Sequence, residues 1–196
     1  PIHAFLLEQI LAKIDYLDDA LERLTAEIDR QVAPFEPLLT ALDTIPGIDR
    51  IGAISLLAET GGDMSRFPSA AHLCSWAGMC PGHDESAGKR RTGKTRKANR
   101  YLRSTLIQAG VAASHKKESA LRALYGRVKA RRGHKKAVVA TGHQVLEIAY
   151  FVMRDGVTYH ELGANYCQRR DRERTVRRHV RQLEALGYVV TVQPAA

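Results

Sequence analysis

The sequence lacks any run of eighteen consecutive apolar residues, the length that a membrane-spanning helix requires. It also lacks a start methionine, and its first residues do not resemble a signal peptide. We therefore expect no membrane contact, and we expect Pro1 to follow an earlier segment of a longer gene product. Cysteine is scarce as well. Three cysteines in 196 residues give no disulfide framework and indicate reduced thiols in a cytosolic protein.

Acidic residues are scarce in the second half of the chain. Residues 86–196 hold 25 Lys/Arg and seven Asp/Glu, which gives a net charge of +18. Residues 1–85 hold five Lys/Arg and fourteen Asp/Glu, which gives a net charge of −9. Single charge runs are usually solvated helix faces. Dense basic blocks with few compensating acids are instead typical of a surface that binds a polyanion. We predict that the basic half contacts the phosphates of nucleic acid.

The first 34 residues carry a heptad pattern with a period of 3.5 residues. Its members are Leu7, Ile10, Ile14, Leu17, Leu21, Leu24 and Ile28. This spacing predicts a helix that forms a coiled coil within the chain or between chains. Pairing between chains would give the homodimer or homotetramer that we expect. The alternative is an amphipathic helix packed on its own domain. Pro34 and Pro37 are expected to end the helix.

A helix-hairpin-helix-like element is predicted over residues 42–57. Gly47 and Gly52 permit a tight turn whose backbone amides could bind a phosphate without reading a base. The alternative is an ordinary packing joint between two helices, because Asp49 stands where a second glycine is usual. Further along, Ser69 is expected to cap the next helix, and residues 78–93 are expected to form a long functional loop.

A basic helix is predicted from Arg96 to His115. Its apolar face consists of Leu102, Leu106, Ala109 and Ala113, and its first turns hold Arg96, Lys97, Arg100 and Arg103. Cations at a helix N-terminus oppose the helix dipole, so a bound phosphate explains them better than helix stability does.

Three more helices are predicted over residues 119–131, 135–154 and 175–186, followed by a strand over residues 188–192. The last helix and strand resemble a winged helix, which would favour a transcription regulator. The other interpretation is a basic helix that packs on the preceding domain and follows the nucleic-acid backbone.

Ser86 is the candidate nucleophile. It lies between two acids and the basic residues Lys89, Arg90 and Arg91. A serine hydroxyl is weak until a base or metal activates it and cations neutralise the phosphate that it attacks. A zinc site formed by His72, Cys74, Cys80 and His83 has the right residue types but no usual spacing, so we predict no metal ligand in this chain.

Five motifs occur in one order along the chain. They are Ile45-Pro46-Gly47-Ile48, Phe67-Pro68-Ser69, Leu73-Cys74-Ser75-Trp76-Ala77-Gly78-Met79-Cys80-Pro81, Ser86-Ala87-Gly88-Lys89 and Asn99-Arg100-Tyr101-Leu102-Arg103. Together they resemble the C-terminal transposase domain of the insertion-sequence "one-ten" family, the DEDD transposases, which are also described as bridge-RNA-guided recombinases. The resemblance is good over residues 38–130 and looser elsewhere.

The resemblance implies roles for individual residues. Ser86 would form a 5′-phosphoserine link with DNA, and Ser69 is the second choice. The nucleic-acid contacts would come from Gly47, Gly52, Lys89, Arg90, Arg91, Lys94, Arg96, Lys97, Arg100 and Arg103. The family's Mg²⁺ is held by four carboxylates of an RNase-H-like domain. These are not present here, so Mg²⁺ is expected only through that absent domain, and the chain alone is expected to be inactive.

We therefore predict a mainly α protein with three parts: a coiled-coil helix (residues 1–34), a serine-bearing DNA-binding domain (38–155) and a basic helix-and-strand tail (156–196). The predicted function is DNA transposition, with DNA and a structured non-coding guide RNA as partners, in the bacterial cytoplasm at the nucleoid. The rival hypotheses are a non-catalytic nucleic-acid-binding regulator and a coiled-coil assembly factor.

Overall fold

The computed structural model describes residues 2–82, 84–95 and 97–193, without the side chains of residues 84, 90–92, 167–171 and 173. The fold is mainly α, as predicted. The helices are α1 (Ile2–Val32), α2 (Glu36–Asp43), α3 (Arg50–Thr60), α4 (Ala70–Trp76), α5 (Arg100–His115), α6 (Ala120–Arg132), α7 (His134–Asp155) and α8 (Tyr166–Ala185). Short 3-10 turns occupy Ala33–Phe35 and Met64–Arg66, and the strands are β1 (Asp84–Ser86) and β2 (Lys89–Thr92).

Helix α7 lies at the centre of the core and packs against α4, α5 and α6. The predicted apolar face of α5 is confirmed, because Leu102, Leu106, Ala109 and Ala113 are all buried. Val145, Leu146 and Ala149 face them from α7, with none of their surface exposed. Burial of these apolar side chains supplies most of the driving force for assembling the domain.

Two glycines allow α5 and α7 to approach each other at backbone distance. A Cβ atom added at Gly142 would lie 2.5 Å from the Leu106 carbonyl oxygen, and one added at Gly110 would lie 2.7 Å from the Val138 carbonyl oxygen. Neither contact is possible for a real side chain. The crossing of α5 over α7 therefore depends on glycine at both positions.

The turn between α2 and α3 is a packing joint against α5. Gly47 has a left-handed φ of 91°, and a Cβ atom there would lie 2.2 Å from the Ala109 carbonyl oxygen. Helix α3 then begins at Arg50 with Asp49 as its N-cap, whose side chain accepts a hydrogen bond from the Gly52 N–H at 2.8 Å. Arg50 bonds to Glu36 at 2.7 Å and to Asp29 at 2.9 Å, so it ties α3 to α2 and to the end of α1.

Helix α1 leaves its heptad residues in solvent. The seven heptad side chains are 45–61% exposed, and α1 ends at Val32 before the turn that contains Pro34. The alternative in which this helix packs along its own domain is therefore not what the chain adopts. Within the described residues, no helix is both long enough and apolar enough to cross a membrane.

The tail differs from the prediction in two respects. Helix α8 starts at Tyr166, nine residues before the predicted start, and the predicted strand over residues 188–192 does not form. Tyr188 and Val189 are 65% and 100% exposed, and no strand edge lies beside them among the described residues. A strand needs such a partner to satisfy its backbone groups. The winged-helix interpretation therefore lacks the strand that would form the wing.

A strap formed by residues 157–163 fastens the start of the tail to the domain. The Tyr159 N–H donates to Thr44 Oγ1 at 2.9 Å, and the Glu161 carboxylate accepts from the N–H groups of Ala120 and Gly163, both at 2.9 Å. Tyr159 Oη donates to the other Glu161 oxygen at 3.1 Å. Glu161 thus supplies a negative charge to the N-terminus of α6, where the helix dipole favours it.

Glu161→Gln is expected to lower the free energy of unfolding by about 1–2 kcal/mol at neutral pH, because two N–H groups lose a charged acceptor. Burial raises the pKa of Glu161, but the N–H groups of Ala120 and Gly163 and the Tyr159 hydroxyl outweigh it, so this pKa lies below its ordinary value. The stabilisation is therefore complete above the ordinary value and disappears as the pH falls through the folded-state pKa.

Urea unfolding of wild type and variant, repeated from pH 7 downward, tests this pH dependence. The difference in the free energy of unfolding between the two proteins should become smaller as Glu161 becomes protonated. Glu8→Gln makes the same chemical change on the exposed surface of α1 and should have no effect at any pH. A difference that stays constant with pH would contradict the assignment.

Candidate nucleic-acid interface

The predicted long loop contains a β-hairpin that carries Ser86. Strands β1 and β2 are antiparallel, with Ser86 opposite Lys89 and Glu85 opposite Arg90. The register then shifts, so that Asp84 faces Thr92 and Arg91 is an additional residue on β2. Such a bulge increases the local twist of the hairpin. The expected long loop over residues 78–93 therefore contains regular secondary structure in its central part, which was not predicted from the sequence.

The hairpin turn consists of Ala87 and Gly88. Both have left-handed φ angles, 51° and 74°, as a two-residue type I′ turn requires. Ser86 is the residue immediately before this turn, and its side chain is exposed. The turn therefore places the serine hydroxyl at the tip of the hairpin, accessible to a large substrate.

Arg103 fixes the base of the hairpin. The base is closed by a bridge between Pro81 and Thr95 and by a hydrogen bond of 2.8 Å from the Gly82 N–H to the Lys94 carbonyl oxygen. Arg103 Nη1 donates to Thr95 Oγ1 at 2.5 Å and to the Gly78 carbonyl oxygen at 3.2 Å. Its guanidinium thus holds the hairpin base against α5 and the end of α4.

Helix α5 begins later than predicted, at Arg100 instead of Arg96. The Asn99 side chain accepts hydrogen bonds from the N–H groups of Tyr101 and Leu102 at 3.0 and 3.1 Å, and it donates to Glu59 on α3. This cap ends the preceding extended segment at Asn99. Lys97 therefore precedes the helix, and Arg100 is its first residue.

A cationic groove of about 740 Å³ runs between the hairpin base and the first two turns of α5. Its polar lining includes Lys94, Lys97, Arg100, Arg103 and Ser104. The first three side chains are exposed, so they can contact phosphates, whereas Arg103 is partly buried. Four of the predicted nucleic-acid contacts thus come together in one groove.

The remaining predicted contacts lie elsewhere. Arg96 is outside the described residues, as are the side chains of Arg90 and Arg91, although both belong to β2. Lys89 and Ser86 lie at the hairpin tip. Ser86 adjoins the turn at one end of the hairpin, whereas Lys94 and Thr95, which line the groove, belong to the base that is bridged at Pro81. The serine and the groove therefore lie at opposite ends of the hairpin.

Gly47 and Gly52 both have structural roles in the turn between α2 and α3. The Gly52 N–H is bonded to Asp49, whose carboxylate repels a phosphate at that helix end. Gly47 is pressed against the backbone of α5. This geometry supports the packing-joint alternative for the α2–α3 turn and leaves the Gly52 N–H no capacity for a phosphate, whereas the phosphate contact of Gly47 stays a prediction.

Ser69, the second-choice nucleophile, is paired with a histidine. Ser69 precedes α4 as predicted, but its Oγ lies 2.8 Å from His72 Nδ1 instead of capping a backbone N–H. The i,i+3 spacing of Ser69 and His72 could have indicated this pair from the sequence. A serine beside an imidazole has a base to accept its proton, so Ser69 stays a chemical competitor of Ser86.

Metal binding by this chain has little basis in the described residues. They contain no group of three or more His, Cys, Asp or Glu placed to hold an ion. Burial raises the pKa of the Cys74 thiol to about 12, so Cys74 stays protonated and is a poor ligand. His83 of the considered zinc set lies outside the described residues.

Comparisons with known proteins match the region of this interface. Residues 39–126 match the family model described as Transposase IS116/IS110/IS902 family. The insertion element IS110 43.6 kDa protein of Streptomyces coelicolor is 32% identical over 129 residues, 64% of this chain and 30% of that protein. The insertion element IS900 42 kDa protein of Mycobacterium paratuberculosis is 32% identical over 120 residues, which are 60% of this chain and 30% of that protein.

A third relative is the pilin gene-inverting protein of Moraxella bovis, 32% identical over 116 residues, 58% of this chain and 36% of that protein. The chain thus spans about a third of the length of the curated relatives that it matches. The matched residues include the hairpin with Ser86 and the cationic groove. Residues 39–126 therefore match the domain of the Transposase IS116/IS110/IS902 family, in the region where the order of the five motifs predicted a transposase domain.

Proposed function

We propose that this chain is the DNA-binding part of an insertion-sequence transposase that cleaves and exchanges DNA strands through Ser86. The observation that carries the proposal is the position of this serine. It is exposed at the tip of a hairpin whose base borders a groove of cations, inside a domain of a transposase family. A nucleophile that attacks duplex DNA needs exposure and a cation beside the attacked phosphate, and Lys89, opposite Ser86, can supply that cation while the groove holds the DNA backbone.

The proposed step is a transesterification. Ser86 Oγ gives up its proton and forms an ester bond to the phosphorus of a DNA phosphodiester. The bond from that phosphorus to the 3′ oxygen breaks, and the departing oxygen takes a proton to become a 3′ hydroxyl. The chain is then linked to DNA through a 5′-phosphoserine, and a 3′ hydroxyl of another strand can reverse the step to complete the exchange.

The chain's own residues orient this reaction. Lys89 lies opposite Ser86 across the turn, so its ammonium group can offset charge on the attacked phosphate. Lys94, Lys97 and Arg100 would hold the DNA backbone at the hairpin base. Arg103 acts through Thr95 and Gly78 as a positioning residue, because it fixes the hairpin relative to α5.

The Mg²⁺ implied by the family does not fit the described residues, which offer no cluster of ligands for it. No step of the proposed reaction uses a metal held by the described residues. Activation of Ser86 would depend on groups outside residues 1–196, so these residues alone are expected to bind DNA without cleaving it. We also propose that a structured guide RNA selects the DNA sites and is held by the basic half.

Strand exchange needs two active sites, and α1 offers a means of bringing two copies together. Its heptad face is long, apolar and exposed. Ile14→Asp combined with Leu17→Asp is expected to convert the oligomer to monomers, because two charges would be buried in the seam. Sedimentation velocity measures the shift.

The control for this experiment places the same charges on the opposite face of α1. Ala12→Asp combined with Ala26→Asp lies at heptad positions remote from the seam and should leave the oligomer intact. A wild-type chain that sediments as a monomer, or a seam variant that stays oligomeric, would remove α1 as the dimerisation element.

The direct test of the proposed function is covalent trapping. The complete gene product that carries residues 1–196 is incubated with insertion-sequence end DNA and separated on a denaturing gel. A protein–DNA adduct that requires Ser86 supports the proposal, and an adduct that persists in Ser86→Ala contradicts it.

A further inference from the structure

We propose that the chain has a second phosphate-binding site, at the end of α5 that is remote from the hairpin, which holds a separate segment of nucleic-acid backbone. The site is a cleft of about 400 Å³ between the last turn of α5, the middle of α6 and the first residue of α7. We call it the distal cleft. Its polar side chains are Ser114, His115, Arg122, Tyr125, Lys129 and His134.

The lining of the distal cleft consists of hydrogen-bond donors without a carboxylate. Tyr125 Oη lies 2.8 Å from His134 Nδ1, and the Lys129 ammonium group lies 5.6 Å from the centroid of the Tyr125 ring. These contacts hold a hydroxyl, an imidazole and an ammonium group together on one side of the cleft. Arg122, one turn before Tyr125 on α6, and His115, at the end of α5, are exposed. Such a set of donors suits phosphate oxygens.

The charge around the cleft also favours a polyanion. Residues 116–136 contain nine Lys/Arg and a single acid, Glu118. The turn from α6 to α7 adds Arg131, Arg132, Lys135 and Lys136 beside the cleft-lining His134. One carboxylate against nine cations leaves this stretch of sequence with a net charge of +8. Bound phosphates would relieve the repulsion and release counterions.

The linings of the distal cleft and the cationic groove come within one turn of α5, at Val111 and Ile107, but their charged side chains are too far apart to contact the same phosphate. Arg100 lines the groove and His115 lines the cleft, and the fifteen helical steps between them span about 22 Å of α5. At 3.4 Å per base along one strand, this distance corresponds to about six nucleotides. Lys129 and His134 also lie beyond the residues that match the transposase family.

The consequence is that one chain could hold two nucleic-acid segments at once. This inference rests on the proposed function for the expectation that the groove holds DNA. The shared chemistry of the second ligand is the phosphodiester backbone, which both RNA and DNA possess. Since binding is measured separately from adduct formation, failure of the Ser86 step and failure of the distal cleft give different results.

The test uses fluorescence anisotropy of the full chain with two probes, a 20-base-pair duplex DNA and an RNA hairpin with a single-stranded extension. Arg122→Gln combined with Lys129→Gln removes two charges from the cleft, and Lys97→Gln combined with Arg100→Gln removes two from the groove. Lys13→Gln combined with Arg23→Gln removes two charges from α1 and is the matched control. All six side chains are exposed, so folding should be unaffected.

We expect the cleft variant to lose about tenfold or more in affinity for one probe only, and the groove variant to do so for the other. The slope of log affinity against log salt should become shallower by about 2 for each lost pair of phosphate contacts on duplex DNA, and by about 1.4 on a single strand. The α1 control should match wild type with both probes. The probe that the cleft variant loses identifies the ligand as RNA or DNA.

A cleft variant that behaves like the α1 control with both probes would overturn the proposal. So would equal losses by both variants with both probes, because that result indicates one continuous site. A second measurement tests directly whether the distal cleft binds phosphate. Titration with inorganic phosphate should move the NMR signals of His115 and His134 but not that of His3 on α1, and unmoved signals would contradict the cleft.

Discussion

Ser86→Ala is expected to abolish the covalent protein–DNA adduct completely while leaving DNA affinity within about twofold of wild type. Alanine has no oxygen with which to form the phosphate ester, so no residual adduct through this position is possible. Affinity should persist because the cations of the groove are at the other end of the hairpin. The adduct is measured on denaturing gels and the affinity by fluorescence anisotropy.

Ser86→Ala is expected to leave the fold intact, for structural reasons. Ser86 is exposed, and the turn conformation depends on Ala87 and Gly88 instead. The matched control is Ser69→Ala. This serine has a histidine at hydrogen-bond distance and is therefore the competing nucleophile within the same domain. We expect Ser69→Ala to retain the adduct.

The two serine variants together distinguish the possible outcomes. Loss of the adduct only in Ser86→Ala assigns the nucleophile to the hairpin. Loss only in Ser69→Ala transfers it to the Ser69–His72 pair and overturns the proposed function at Ser86. Mapping the modified peptide by mass spectrometry gives the same answer without a variant, because phosphodiester-linked serine retains the mass of a nucleotide remnant after nuclease digestion.

The helices that could be predicted from the sequence are those with a local signal. The apolar face of α5 repeats at helical spacing, and Ser119 caps α6 through a hydrogen bond from the Arg122 N–H at 3.1 Å. Both features depend only on residues a few positions apart, which is the range that a sequence pattern reports. Accordingly α6 and α7 begin and end within one residue of their predicted bounds.

The hairpin was missed because its support is not local. Its strands are short and polar, so they show no alternation of apolar and polar residues. Arg103 holds the hairpin base through hydrogen bonds to Thr95 and to Gly78, and Gly78 lies 25 residues earlier in the chain than Arg103. The predicted tail strand failed for the opposite reason. Tyr188 and Val189 suit a strand locally, but no neighbouring edge is available among the described residues.

The candidate site was predictable as a set of residues but not as an arrangement. The five motifs identified Ser86 and the cations of the groove, yet only the fold shows that they lie at opposite ends of the hairpin. The motif around Gly47 suggested a phosphate site, whereas the three-dimensional structure uses this glycine for close packing on α5. Sequence spacing cannot separate these two uses, because both require a residue without a Cβ atom.

Gly142→Ala is expected to destabilise the protein by about 3 kcal/mol, at the upper end of the range for overpacked cores. The added Cβ atom would lie 2.5 Å from the Leu106 carbonyl oxygen and 2.9 Å from the Met79 side chain. The methionine can move, but the carbonyl belongs to the backbone of α5. The helices must therefore separate, which weakens the packing of the buried Leu102 and Leu106.

The matched control is Gly126→Ala, an equal substitution inside α6 where nothing lies within 4 Å of the added Cβ atom. Because alanine is the better helix former, this variant should be stabilised by up to about 1 kcal/mol. Urea unfolding of the two variants against wild type measures both changes. Equal effects of the two substitutions would show that α5 and α7 are not in backbone contact.

The same variant should also weaken DNA binding, because α5 connects the core to the interface. Arg103 on α5 positions the hairpin base through Gly78, the neighbour of the Met79 that packs on Gly142. A shift of α5 therefore displaces both the groove cations and the hairpin. If Gly142→Ala bound DNA as tightly as wild type at a temperature where it remains folded, the hairpin would be positioned independently of the α5–α7 contact.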